Sequence, residues 1–246
     1  MGSGDLRELF DMPARLYAVG DVHGCSSELR VLIERLKGSE GLNSQDLVVF
    51  IGDYIDRGTA VRETLDQLVE FKHEFPRTIF LKGNHESMLL GYLELGGRDG
   101  EVYIQNGGQS TLDSYGITAG MHSEQAVDLI PKEHVEFLQS LERYVIIQNF
   151  VFAHAGLNPL RDLRAQLDED LYWIRDEFIH NLHHFGKTII FGHTPYEDVL
   201  VHLPYKIGID TGVVYGNCLS CVELIGQRVI QVAAGTGKVV EKGLEG

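Results

Sequence analysis

Five short loops carry the residues that could do chemistry. Gly20-Asp21-Val22-His23-Gly24, Gly52-Asp53-Tyr54-Ile55-Asp56-Arg57-Gly58 and Gly83-Asn84-His85-Glu86 each follow a short apolar run, and Phe152-Ala153-His154-Ala155-Gly156 and Phe191-Gly192-His193-Thr194-Pro195 end two later ones. Carboxylate, carboxamide and imidazole without thiolate suit a catalytic divalent ion such as manganese, iron or zinc, whereas a structural zinc site normally recruits cysteine. The glycines beside these groups let the chain turn sharply and bring its backbone close to an ion. Each residue also has a plain alternative: an Asp or Asn capping a glycine-rich turn, a surface pair between Asp56 and Arg57, or a satisfied core histidine at His154 and His193. Isolated turns of that kind would not be expected at five strand ends in succession.

The elements that must position these loops can be read from periodicity. Residues 15–20, 47–52 and 78–82 read as strands, and between them Leu29, Leu32, Ile33 and Leu36, then Val61, Leu65, Leu68 and Val69, fall at helical spacing. That is a run of βαβ units, and in such sheets ligands bind at the carboxyl ends of the strands. Residues 87–143 are helical in flavour but broken by Leu95-Gly96-Gly97 and Asn106-Gly107-Gly108, which predicts a helical cap inserted into a single domain of 246 residues; Pro131 suits the first turn of its last helix. Strand signals return at 144–153, 188–192, 206–209 and 219–225, with one amphipathic helix from about Asp170 to Phe185. The late strands follow one another with little helix between them, so the expectation is an α/β fold with a second, mostly antiparallel sheet.

Read together, the first three loops resemble the GDxHG, GDxxDRG and GNHE signatures of the PPP-type serine/threonine protein phosphatases, in their bacterial and phage-lambda form, within the calcineurin-like metallophosphoesterase superfamily. The resemblance runs from about Arg15 to Val222. It implies the fold of that superfamily, two central mixed sheets flanked by helices. It also implies two divalent metal ions, manganese first and iron or zinc as alternatives. By that resemblance Asp21 and His23 hold one ion, Asn84, His154 and His193 the other, and Asp53 bridges both. His85 then matches the general acid, Asp56 the carboxylate that orients it, and Arg57 and Arg175 the two phosphate-gripping arginines. Two ions can acidify a bridging water and clamp the phosphoryl oxygens of a monoester.

The implied substrates are phosphorylated proteins or phosphopeptides carrying phosphoserine or phosphothreonine, and, in an open site, phosphotyrosine. The chain departs from the eukaryotic enzymes by lacking their Ser-Ala-Pro-Asn-Tyr loop, so no regulatory subunit is expected. The diadenosine tetraphosphate hydrolases share these signatures and also carry an Asp-Thr-Gly, here Asp210-Thr211-Gly212, which makes a nucleotide phosphohydrolase the alternative. A catalytically dead phosphopeptide-binding scaffold is a third reading, opposed by the intact motifs.

Composition narrows the partners. Lys and Arg number 21 against 36 Asp and Glu, a net charge of −15, which repels nucleic acid and anionic membranes and leaves phosphate binding to local cations. Three cysteines, no apolar run of membrane-spanning length and no apolar leader point to a reducing cytoplasm, with Met1-Gly2-Ser3-Gly4 a floppy terminus. His180, His183 and His184 are expected on a solvated helix face, and Cys218 and Cys221 on opposite faces of a strand. Asn106 to Thr111 is either a wall of the substrate groove or a plain turn.

Overall fold

The computed structural model describes residues 7–118 and 120–245, so the expectation for Met1 to Gly4 lies outside the described residues. β1 (Arg7–Leu9) comes first, and β2 (Leu16–Val19), α1 (Ser26–Lys37), β3 (Leu47–Phe50), α2 (Val61–Glu74), β4 (Ile79–Phe80) and α3 (Asn84–Tyr92) follow as the expected βαβ run. The helical stretch continues through α4 (Gln109–Tyr115), α5 (Ser123–Asp128) and α6 (Lys132–Gln139). Then come β5 (Tyr144–Ile147), β6 (Phe150–Ala153), α7 (Asp168–Trp173), α8 (Asp176–Ile179), β7 (Thr188–Phe191), β8 (Leu200–His202), β9 (Lys206–Gly208), β10 (Cys218–Glu223), β11 (Arg228–Ala233) and β12 (Val239–Gly243).

Two six-stranded sheets result, ordered β12-β11-β10-β2-β3-β4 and β1-β5-β6-β7-β9-β8. Leu16, Ala18, Leu47, Val49 and Ile51 of the first sheet pack against Val145, Ile147, Phe152 and Ile190 of the second. Tyr17, Val19, Val48 and Phe50, one residue out of phase, pack instead against α1, α2 and the helical stretch. Both faces of these strands are therefore apolar, as in any sheet covered on both sides. Leu171, Phe178 and neighbours cover the outer face of the second sheet. Among the described residues no helix is long and apolar enough to cross a membrane.

The structure corrects four expectations. The second sheet is mixed, not mostly antiparallel: β1–β5, β6–β7 and β7–β9 pair in parallel, and β10 to β12 join the first sheet. Residues 144–153 form a hairpin, turning at Gln148 with φ 52°. The helix expected from Asp170 to Phe185 breaks at Ile174 and Arg175, where ψ is 140° and −99°. One cause is visible: the carbonyl of Leu171 accepts the Ala155 N–H at 2.8 Å and so is taken by the loop that carries His154. After Ile179 the chain cannot continue as helix, because buried Lys206 Nζ takes the carbonyls of Phe178, Ile179 and Asn181. Finally, His183 is not on a solvated face; it is buried, stacks on Phe178 and Phe185, and donates from Nε2 to the Tyr205 carbonyl at 2.8 Å. β1, β8, β11 and β12 were not expected at all: β1 and β8 have three residues each, and β12 is a largely exposed edge with little apolar alternation. Cys218 and Cys221 do lie three apart on β10, both as free thiols.

Candidate dinuclear metal centre

The loops after β2, β3, β4, β6 and β7 meet where the two sheets abut. Their backbones are unusual: His23, Asp53, Asp56, Arg57 and His193 all have positive φ, between 45° and 68°. Non-glycine residues adopt that region at a cost of about 1–3 kcal/mol each, and such strain gathers at functional sites. Close approach also explains two glycines. A Cβ on Gly83 would overlap Asp53 Oδ1, and one on Gly192 would overlap Asp21 Oδ1.

The side chains so placed converge as acceptors. His154 Nδ1 donates to the Ile51 carbonyl at 2.9 Å, which leaves Nε2 to face the other side chains. That Nε2 lies 3.1 Å from Asn84 Oδ1, 3.3 Å from His193 Nδ1 and 3.4 Å from Asp53 Oδ2. On the other side His23 Nδ1 donates to the Ile55 carbonyl at 2.8 Å, freeing its Nε2, 3.5 Å from the same Asp53 Oδ2. Two groups of possible metal donors thus form, His23, Asp53 and His85, and Asp53, His154 and His193, joined through Asp53. Asp21 adds a buried Oδ1 without a hydrogen-bond partner, while its Oδ2 accepts the His193 N–H at 3.0 Å.

The electrostatics agree with a cation in this place. Burial pushes the carboxyl of Asp21 well above its ordinary range, and Asp210 and Asp53 push it further. Asp210, buried beside them, is pushed up to about 6. Burial also raises Asp53, but the imidazoles of His154 and His85 more than reverse this and hold it well below the usual range. Burial lowers His23 to about 3 and His193 well below its usual value, so both are neutral, ligand-ready imidazoles. Lone pairs facing one another around crowded carboxylates fit divalent ions, which would replace mutual repulsion by coordination.

His85 stands apart from the other imidazoles. Its Nδ1 donates to Asp56 Oδ2 at 2.6 Å, and its Nε2 is buried with no partner. Arg57 Nη1 reaches His23 Nε2 at 2.7 Å, and its guanidinium lies over the exposed ring of Tyr215. Arg175, freed by the break between α7 and α8, is exposed and donates to Thr194 Oγ1 at 3.0 Å. Gly107 accepts the Arg57 N–H at 3.2 Å and Thr111 bonds Asp56, so the Asn106 to Thr111 segment packs against the Asp56-Arg57 loop.

Residues 14–216 match the family model of the calcineurin-like phosphoesterases. The chain belongs to that family. Serine/threonine-protein phosphatase 2 of Salmonella typhimurium is 32% identical over 215 residues, covering 82% of this chain and 89% of its own. The asymmetrical bis(5'-nucleosyl)-tetraphosphatase PrpE of Oceanobacillus iheyensis is 26% identical over 249 residues, covering 91% and 94%. A cold-active protein tyrosine phosphatase of a Shewanella species shares the fold, with a TM-score of 0.61 at 19% identity over 100% of this chain and 85% of that one. This calcineurin-like phosphoesterase is therefore a metal-dependent hydrolase of phosphoesters.

In the phosphoesterase site three contributors went unrecognised in the sequence. Tyr103 donates to Asp56 Oδ1 at 2.7 Å, Tyr215 faces Arg57, and Glu86 props up the Asp53 loop. Glu86 had a signal, since it closes the GNHE motif; Tyr103 had none. The Glu86 carboxyl accepts the N–H groups of Asp53, Tyr54, Ile55 and Gly83, at 2.9, 2.7, 3.4 and 2.9 Å. Burial and then Asp53 push it up to about 7, while these four donors favour its charged form. Glu86→Ala would strand buried N–H groups, each costing about 1–3 kcal/mol, so a stability loss on the order of 3 kcal/mol is expected. Urea denaturation of the metal-free protein measures it, and an unchanged midpoint would remove this structural role.

Proposed function

We propose that this phosphoesterase is a protein phosphatase that hydrolyses phosphoserine and phosphothreonine, and phosphotyrosine where the open site admits it. Asp21 and His23 are assigned to one ion, Asn84, His154 and His193 to the other, and Asp53 to both. Ions held there, manganese being our choice, would lower the pKa of bound water and neutralise the phosphoryl oxygens. Arg57 and Arg175 grip the phosphate, and the helical insertion at 87–143 acts as the cap beside it.

The observation that carries the reading is the buried His85–Asp56 pair with its unpartnered Nε2. A serine or threonine alkoxide is a strong base and leaves only if a proton reaches it, which this pair can supply. Supporting this, a groove of about 440 Å³ begins at Trp173, whose ring lies 5.9 Å from that of His193. Its charged lining, Arg98, Asp99, Asp168 and Glu169, is acidic on balance and unsuited to a polyphosphate chain. The dinucleotide reading is favoured by the likeness to PrpE and by the exposed Tyr215 ring, on which a base could stack.

Turnover of a phosphoserine peptide and of diadenosine tetraphosphate by the same manganese-loaded protein decides between them. The expected kcat/KM favours the peptide by on the order of tenfold or more. A preference for the dinucleotide would move the function to nucleotide hydrolysis while keeping the metal chemistry.

A further inference from the structure

We infer that Tyr103 and Thr111, on the helical stretch, are positioning residues for proton delivery by His85, acting through Asp56. The inference rests on the proposed role of His85 as the acid. Both side chains are fully buried, and both end on one atom: Tyr103 Oη lies 2.7 Å and Thr111 Oγ1 2.5 Å from Asp56 Oδ1. The direction of each bond is fixed. Thr111 Oγ1 already accepts the Asp56 N–H at 3.0 Å, so its own hydrogen goes to the carboxylate, and Tyr103 can only donate to it. Gly108 packs on the Tyr103 ring so tightly that a Cβ there would meet Cε1 and Cζ at 2.6 Å, which holds the phenol in place.

The consequence follows from hydrogen-bond geometry. A carboxylate with one partner can rotate about its Cβ–Cγ bond. With two donors on Oδ1 its plane is set, and Oδ2 is presented to His85 Nδ1 at 2.6 Å. The ring is then oriented with Nε2 toward the cluster, from where it serves the leaving-group oxygen. The residues doing this come from a different part of the chain than the His85 and Asp56 loops, and Val102, next to Tyr103, lines the groove beside Trp173. Substrate seating and acid alignment therefore share one segment.

The test compares a phosphoserine peptide, whose leaving group needs a proton, with p-nitrophenyl phosphate, whose leaving group needs little help. Tyr103→Phe and Thr111→Val should each lower kcat for the peptide on the order of tenfold at nearly constant KM, and lower the p-nitrophenyl rate far less. Thr111→Ser, which keeps the hydroxyl, should restore the peptide rate. Equal losses on both substrates, or none on the peptide, would overturn the inference, since a merely structural role has no reason to sense the leaving group. His85→Asn run alongside separates the two levels. If it shows the leaving-group dependence and Tyr103→Phe does not, the positioning role alone fails; if it shows none, the acid assignment fails with it.

Discussion

Asp53→Asn is expected to lower metal-dependent phosphate release by on the order of 10³-fold, because a dinuclear centre supplies several kcal/mol of charge stabilisation and each 1.36 kcal/mol is a factor of about ten. Asp53 Oδ2 is the atom both halves of the site share, 3.4 Å from His154 Nε2 and 3.5 Å from His23 Nε2. Asparagine keeps the oxygen that accepts the His85 N–H at 3.2 Å but turns an NH₂ toward the imidazole lone pairs. The imidazoles of His154 and His85 stabilise the carboxylate that asparagine removes, so the metal-free variant should melt below the parent. What it should lose is the rise in Tm on adding manganese, since an ion that binds only the folded state stabilises it by mass action. Thermal melts with and without manganese, beside calorimetric titration, measure both effects; two ions bound with parental affinity would exclude the bridging role.

His85→Asn carries the second large effect. General acids contribute about 10²–10⁴-fold, and a loss in that range is expected for the phosphoserine peptide. Metal stoichiometry should stay at the parental value, because His85 Nδ1 is committed to Asp56 at 2.6 Å and Nε2 lies 3.9 Å from Asp53 Oδ2, farther than the Nε2 atoms of His23 and His154. A variant that bound fewer ions would instead make His85 a ligand, a reading its place in one donor group with His23 and Asp53 makes concrete.

Much of this site was legible in the sequence because the clustered side chains sit in segments of four to seven residues, each where an apolar run ends. Asp21, His23, Asp53, Asn84, His85, His154 and His193 needed only that pattern to be singled out, and the structure brings them together. Their individual roles are another matter, resting on resemblance and on the proposals above. Arg175 shows where periodicity misleads. Leu171, Ile174 and Phe178 are all buried as a helical stripe requires, yet the chain breaks between them, and Leu182, the next position, is half exposed. The stripe records burial against the second sheet, and the sequence alone does not show that Ala155 takes the carbonyl of Leu171. The bonds of Tyr103 and Thr111 to Asp56 were out of reach for the same reason: Asp56 is 47 and 55 residues away, and only packing of the helical stretch makes the contact.

The proposed metal donors come from both layers of the molecule. Asp21, His23, Asp53 and Asn84 follow strands of one sheet, while His154 and His193 follow β6 and β7 of the other. Elsewhere the two sheets meet largely through interdigitated aliphatic and aromatic side chains, a contact that is strong but has no preferred sliding direction. Coordination across that seam would act as a rivet. It would fix the shear position of one sheet on the other, so that slipping the layers apart requires ligand exchange, and the rate of unfolding, together with its equilibrium, would come under the control of metal supply.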